Sequence, residues 1–187
     1  AGAASAAYSQ LTAAIEGKDA DKIRATSKTL MDDYGGTVYA QMAGLVAARG
    51  LYDASDEAGA KASLQWVAEK GQDAEFRLLA SLRMAGLLLD DKDYEGALAR
   101  LAASKELEAA SIDMRAAFAE RRGDIELARD KASQAQTEYG KALALLGPNS
   151  ALRASIQLKL DAIPAAPAAS GASTDTSPAA GSSATSK

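Results

Sequence analysis

Small residues pair at a fixed offset of twelve, four times along the chain: Ala13 with Ala25, Ala48 with Ala60, Ala85 with Ala97, and Gly123 with Ala135. Successive pairs advance by 35, 37 and 38 residues, which is the mark of one supersecondary unit used repeatedly. Where the two helices of a hairpin cross, any side chain larger than alanine would push the backbones apart, so small residues mark the crossing. Four residues beyond each second small residue stands Thr29, Leu64, Leu101 or Tyr139, in three of the four copies a larger knob facing the next hairpin. Thr29 belongs to the first copy, and terminal repeats are commonly atypical because one face meets solvent or a cap.

Glycines, and Asp, Ser, Thr or Asn at cap positions, cut the sequence into nine helix-sized pieces. The first, 3–17, carries Tyr8, Leu11 and Ile15 at helical spacing, and the second opens on Asp19 and ends at Gly35 and Gly36. Thr37 opens a third piece to 53, Ser55 with Asp56 and Glu57 a fourth to Gly71, and Asp73 a fifth to 90. Asp93 opens the sixth, to 104; Ser111 the seventh, to 129; Asp130 the eighth, to 147; and Asn149 a ninth that ends before Pro164. Short turns make neighbours antiparallel. The apolar fraction is 48% and rich in Ala and Leu, while aromatics make up 5%, so intrinsic preference runs towards helix. The expected fold is all-α: a right-handed superhelix of about four helical hairpins, with the ninth helix (Leu152, Ile156, Leu158, Leu160, Ile163) as C-terminal cap. This repeat domain spans 3–163, and the Ala/Ser/Pro-rich stretch 164–187, too polar and small-residue-rich to bury a core, is expected to be a flexible tail.

The formal net charge is −4 with both signs interspersed, which gives no electrostatic footprint for nucleic acid or anionic lipid. Without cysteine there is no disulfide framework or thiol chemistry, and without histidine the commonest general base and metal ligand are both missing. An interaction protein is therefore expected, with no catalytic residue, no cofactor and no metal. The longest nearly uncharged apolar stretch, 38–48, is far short of the roughly 20 residues that span a bilayer. Residues 1–7 lack the basic start and leucine-rich middle of a secretory signal, and an opening already helical in composition creates the expectation that something N-terminal has been removed.

The repeats resemble tetratricopeptide repeats, whose pattern places small residues twelve apart on the two helices, a large residue four later and often a proline near the end. Ala85, Leu88, Tyr94, Ala97 and Leu101 match it best, and the fourth copy supplies Gly123, Ala135, Tyr139, Ala142 and Pro148. The pattern's tryptophan is absent from every first helix, and the copies exceed the usual length of about 34 residues. The whole order is more specific: Ala7-Tyr8 with Ile15-Glu16-Gly17-Lys18, Tyr34-Gly35, Leu82-Arg83-Met84-Ala85, Arg122-Gly123-Asp124 and Leu158-Lys159-Leu160. In this it resembles the periplasmic domain of the YfgM family of ancillary SecYEG translocon subunits. The resemblance implies an inner-membrane protein, periplasmic in its repeats and held by an N-terminal anchor absent here, whose partners are SecYEG and the chaperone PpiD. The open alternatives are a scaffold for another envelope complex, or a peptide-binding module.

Asp91-Lys92-Asp93-Tyr94-Glu95-Gly96 imitates the first half of a calcium-binding loop, but the twelfth position is Ala102 where a bidentate glutamate is required, so a turn and helix cap is the reading. The adjacent acids Asp32-Asp33 and Asp90-Asp91 diverge by about 100° on a helix and read as surface. So do Arg121 and Arg122. In the tetratricopeptide class the first helix of each hairpin lines the concave face. Met42, Leu45, Leu79, Leu82 and Leu89 there serve either as core or as a surface for a partner, with Arg49, Tyr52, Glu120 and Asp124 as polar rim. The basic set that clamps a terminal carboxylate in some members is not found at matching positions, with Arg49 alone suggestive.

Overall fold

A computed structural model describes residues 2–164; of the expected tail only Pro164 is included, and 165–187 lie outside the described residues. Nine α-helices follow one another without a strand among the described residues: α1 (Gly2–Glu16), α2 (Ala20–Asp33), α3 (Val38–Asp53), α4 (Glu57–Lys70), α5 (Ala74–Asp90), α6 (Tyr94–Ala102), α7 (Ile112–Ala128), α8 (Ala132–Leu145) and α9 (Ala151–Asp161). Each packs on the next, and α1, α3, α5 and α7 also touch in succession. The first helices of the hairpins thus form an inner layer and the second helices an outer one, the arrangement of a tetratricopeptide-like superhelix. Three apolar clusters follow one another along the stack: α5 contributes to the first two, through Ala80 and Met84 and through Leu78 and Ala85, and α7 to the last two, through Phe118 and Ile125 and through Ala116 and Ala119.

Side-chain oxygens of Asp19, Thr37, Asp56, Asp73, Asp93 and Ser111 accept backbone N–H groups at the starts of α2 to α7. The last two helices differ from the sequence reading. Lys131, not Asp130, precedes α8, and Ser150, not Asn149, precedes α9; neither side chain caps its helix.

Four turns inside the hairpins share one construction. Lys18, Ser55, Lys92 and Asp130 are left-handed, with φ of 52°, 62°, 63° and 61°. The following N–H returns to a carbonyl five residues earlier, from Asp19 to Ala14, Asp56 to Leu51, Asp93 to Leu88 and Lys131 to Glu126, at 2.8 to 3.1 Å. This closes the preceding helix as a Schellman turn without glycine. In three hairpins the residue after the left-handed one is an aspartate that caps the next helix. In the fourth the order is reversed, Asp130 then Lys131. Exchanging them (Asp130→Lys with Lys131→Asp) supplies the missing cap, and lysine already occupies this left-handed position at 18 and 92. Stability is expected to rise by about 1 kcal/mol, read as a higher urea midpoint at constant slope; an unchanged or lower midpoint refutes the cap argument.

These turns fix the repeat register at advances of 37, 37 and 38 residues, and that register corrects the first hairpin. Ala13 and Ala25, expected at its crossing, are exposed, as is Thr29. The crossing belongs to Leu11 and Ile23, both 0% accessible, still twelve apart, with buried Ser27 as the knob. In the other three hairpins Ala48 with Ala60, Ala85 with Ala97 and Gly123 with Ala135 are buried, beside Leu64, Leu101 and Tyr139. The first hairpin therefore inverts the size pattern, with two large residues at the crossing and a small knob. A core accepts such an exchange when the filled volume is kept.

One element was not anticipated. Residues Lys105–Ala109 form a 3-10 helix between α6, which runs only 9 residues, and α7. Arg77 pairs with Glu106 at 2.9 Å, Glu75 accepts the Ser111 N–H at 3.1 Å, and Leu107 packs against the α5–α7 core. This element stands where α2 and α4 run on to 14 residues each. Among the described residues no helix is long and apolar enough to cross a membrane.

Candidate functional site

A groove of about 590 Å³ opens on the inner layer, between the faces of α3, α5 and α7. Its floor is apolar: Ile15, Leu45, Val46, Ala48, Leu64 and Leu87. Its polar margin holds Arg49, Tyr52, Arg83, Asp90 and Arg121. On α5, Arg83, Gly86, Leu87 and Asp90 stand at i, i+3, i+4 and i+7 and so share one face. The Arg121 guanidinium packs over Gly86, where a Cβ would lie 3.1 Å from one of its nitrogens. On the other side of α3, Gly50 lets α1 approach, since a Cβ would meet Ile15 at 2.9 Å.

Arg49 is engaged by Asp53 one turn on, at 2.9 Å. Arg83 donates to the Leu45 carbonyl at 3.4 Å. The walls of the groove desolvate the Arg83 guanidinium, and the neighbouring charge of Arg49 adds to this, so its pKa is held below the ordinary arginine value. Guanidinium nonetheless stays protonated at any physiological pH. Among the described residues neither Arg83 nor Arg121 forms an ion pair.

Of the expected groove residues, Leu45, Arg49 and Tyr52 line this site. Met42, Leu82 and Leu89 do not; Leu82 and Leu89 instead pack into the α5–α7 core. Glu120 and Asp124 are not rim residues. Lys159 of α9 binds both, at 2.7 Å and 2.9 Å, and the Tyr139 hydroxyl donates to Asp124 at 2.7 Å. The C-terminal helix thus engages both acids. Arg83, Gly86, Leu87, Asp90 and Arg121 were missed. The signal existed, for Arg83 and Arg121 lie 38 residues apart, at equivalent points of consecutive repeats.

The aspartates of the calcium-like stretch are otherwise engaged. Asp93 accepts the Gly96 N–H at 3.0 Å and Asp91 pairs with Lys61.

The tetratricopeptide repeat-like domain family matches residues 1–165. The chain belongs to that family. It is also similar to the ancillary SecYEG translocon subunit of Neisseria gonorrhoeae (strain ATCC 700825 / FA 1090), 32% identical over 142 residues, which is 76% of this chain and 66% of the relative. That likeness supports the resemblance to the YfgM family read from the short motifs. No solved structure matches. As a member of this family with an open groove on its inner layer, the chain is a protein-interaction module.

Proposed function

We propose that this chain is an ancillary subunit of the SecYEG translocon at the periplasmic face of the inner membrane, where it holds protein partners and performs no catalysis. The observation that carries the reading is its 32% identity over 142 residues to a protein of that name. The groove supports it in kind: an apolar floor with convergent polar groups, formed by rigid helices of successive repeats, suits a polypeptide segment. The partners proposed are the translocon and the chaperone PpiD, which would place the chain where secreted proteins emerge.

The test uses the membrane-anchored protein. A photo-crosslinking amino acid in place of Tyr52, which is 40% exposed at the groove margin, is expected to give adducts with SecY or PpiD. A parallel affinity purification should recover at least one of them. Clean purification without either, and adducts with neither, overturn the assignment.

A further inference from the structure

The chain carries a formal charge of −4, yet three arginines gather at the mouth of its apolar groove. One, Arg49, is neutralised by Asp53. The other two, Arg83 and Arg121, have no ion-pair partner among the described residues, and the single carboxylate lining the groove is Asp90. Unpaired cations beside an apolar floor are costly to desolvate unless the group that covers them brings negative charge.

Taking the groove as the interaction surface proposed above, we propose that it docks an acidic, aliphatic internal segment of a partner polypeptide. Side-chain carboxylates of the segment meet Arg83 and Arg121, and an apolar side chain between them fills the floor over Leu45 and Leu87.

Arg83 and Arg121 occupy equivalent positions on α5 and α7, which pack side by side, and the Arg121 guanidinium reaches across to lie over Gly86 of α5, one helical turn from Arg83. A chain terminus supplies one carboxylate for these two cations. Two acidic side chains two or three residues apart on an extended segment, at about 3.3 Å per residue, supply one carboxylate to each. Planar guanidinium, a rigid fork of donors, suits each carboxylate. Nucleic acid is disfavoured, since the rest of the surface is net acidic and would repel a phosphate chain leaving the groove. Further along α7, Glu120 and Asp124 are engaged by Lys159 and do not add their charge to the groove.

The test selects random 12-residue peptides displayed on phage against the full chain, in two formats: fused at both ends, or with a free C-terminus. The end-fused library is expected to enrich Asp or Glu two or three residues apart around Leu, Ile, Val, Met or Phe. A labelled peptide from that selection, blocked at both ends, should bind with at least tenfold loss when its acids become Gln or Asn. Arg83→Gln, a substitution at an exposed side chain, should cause a similar loss with the circular dichroism unchanged; Arg121→Gln is the second variant, and if its packing on Gly86 perturbs folding, Arg83 carries the test alone. Selection without acidic enrichment, enrichment only in the free-terminus format, unaltered affinity of the Arg83→Gln chain, or displacement of the peptide by a single-stranded oligonucleotide each overturns the proposal. The two readings fail separately: a negative selection with SecY or PpiD still recovered removes the groove chemistry alone, and a positive selection with neither recovered removes only the named partners.

Discussion

Gly123→Ala is expected to destabilise the protein by about 3 kcal/mol, while Gly140→Ala in the same hairpin stabilises it by about 0.5–1 kcal/mol. Both glycines lie inside helices, so the backbone gain from alanine is the same and the surroundings decide the sign. At Gly140 a Cβ would meet nothing within 4 Å. At Gly123 it would lie 2.5 Å and 2.6 Å from ring carbons of Tyr139, which is 1% accessible. The ring cannot swing away, for its hydroxyl is held by Asp124 and its faces by the α7–α9 core. Relief therefore requires α7 and α8 to separate. Urea unfolding of the two variants measures the contrast, and equal midpoints would mean that the hairpin crossing is not close-packed.

This crossing also shows how far the sequence could be read. In hairpins two to four the small residues were distinctive because Leu64, Leu101 and Tyr139 stood four positions on, and all of them are buried. In the first hairpin the same rule selected Ala13 and Ala25, which are exposed. So much alanine lies in this chain that a pair of the right spacing arises by composition, two residues out of register. The turns are the sounder ruler, since a left-handed residue followed by an aspartate cap recurs without reference to side-chain size. The 3-10 helix over Lys105–Ala109 was illegible for a different reason, being held by Arg77, Glu75 and Leu107 rather than by any periodicity of its own. A smaller part of the groove was legible. Leu45, Arg49 and Tyr52 follow from the first helix facing inward, but locating Arg83 and Arg121 required the register, and freeing Glu120 and Asp124 of a rim role required knowing where α9 lands.

Lys159→Met should loosen the C-terminal end of the stack by about 2 kcal/mol at neutral pH. Methionine keeps the aliphatic stem and removes only the charge, so the loss is electrostatic. Breaking a fully buried ion pair costs roughly 3–5 kcal/mol, and the figure is reduced here because the Lys159 side chain keeps 39% of its exposure and is partly screened. Without the ammonium, Glu120 and Asp124, one turn apart on α7 and both mostly buried, face each other uncompensated. Burial opposes the Lys159 charge, but hydrogen bonds to Glu120 and Asp124 outweigh it and raise the pKa above the ordinary 10.5. A raised folded-state value means that the contribution is complete below that ordinary value and is lost as pH climbs through the folded one. Tyr139 acts in the same sense, since burial, and then its bond to Asp124, holds its phenol well above the ordinary 10.0. The wild-type advantage over Lys159→Met should accordingly be flat from pH 6 to about 9 and shrink beyond about 10.5, measured by urea midpoints at each pH. Adding Glu120→Gln and Asp124→Asn to Lys159→Met should recover part of the loss, because the acids that remain unpaired are then neutral. If the triple variant is no more stable than the single one, α9 is held by its apolar contacts through Ile156 and by Arg153 on the Leu143 and Leu146 carbonyls, and the ion cluster contributes nothing.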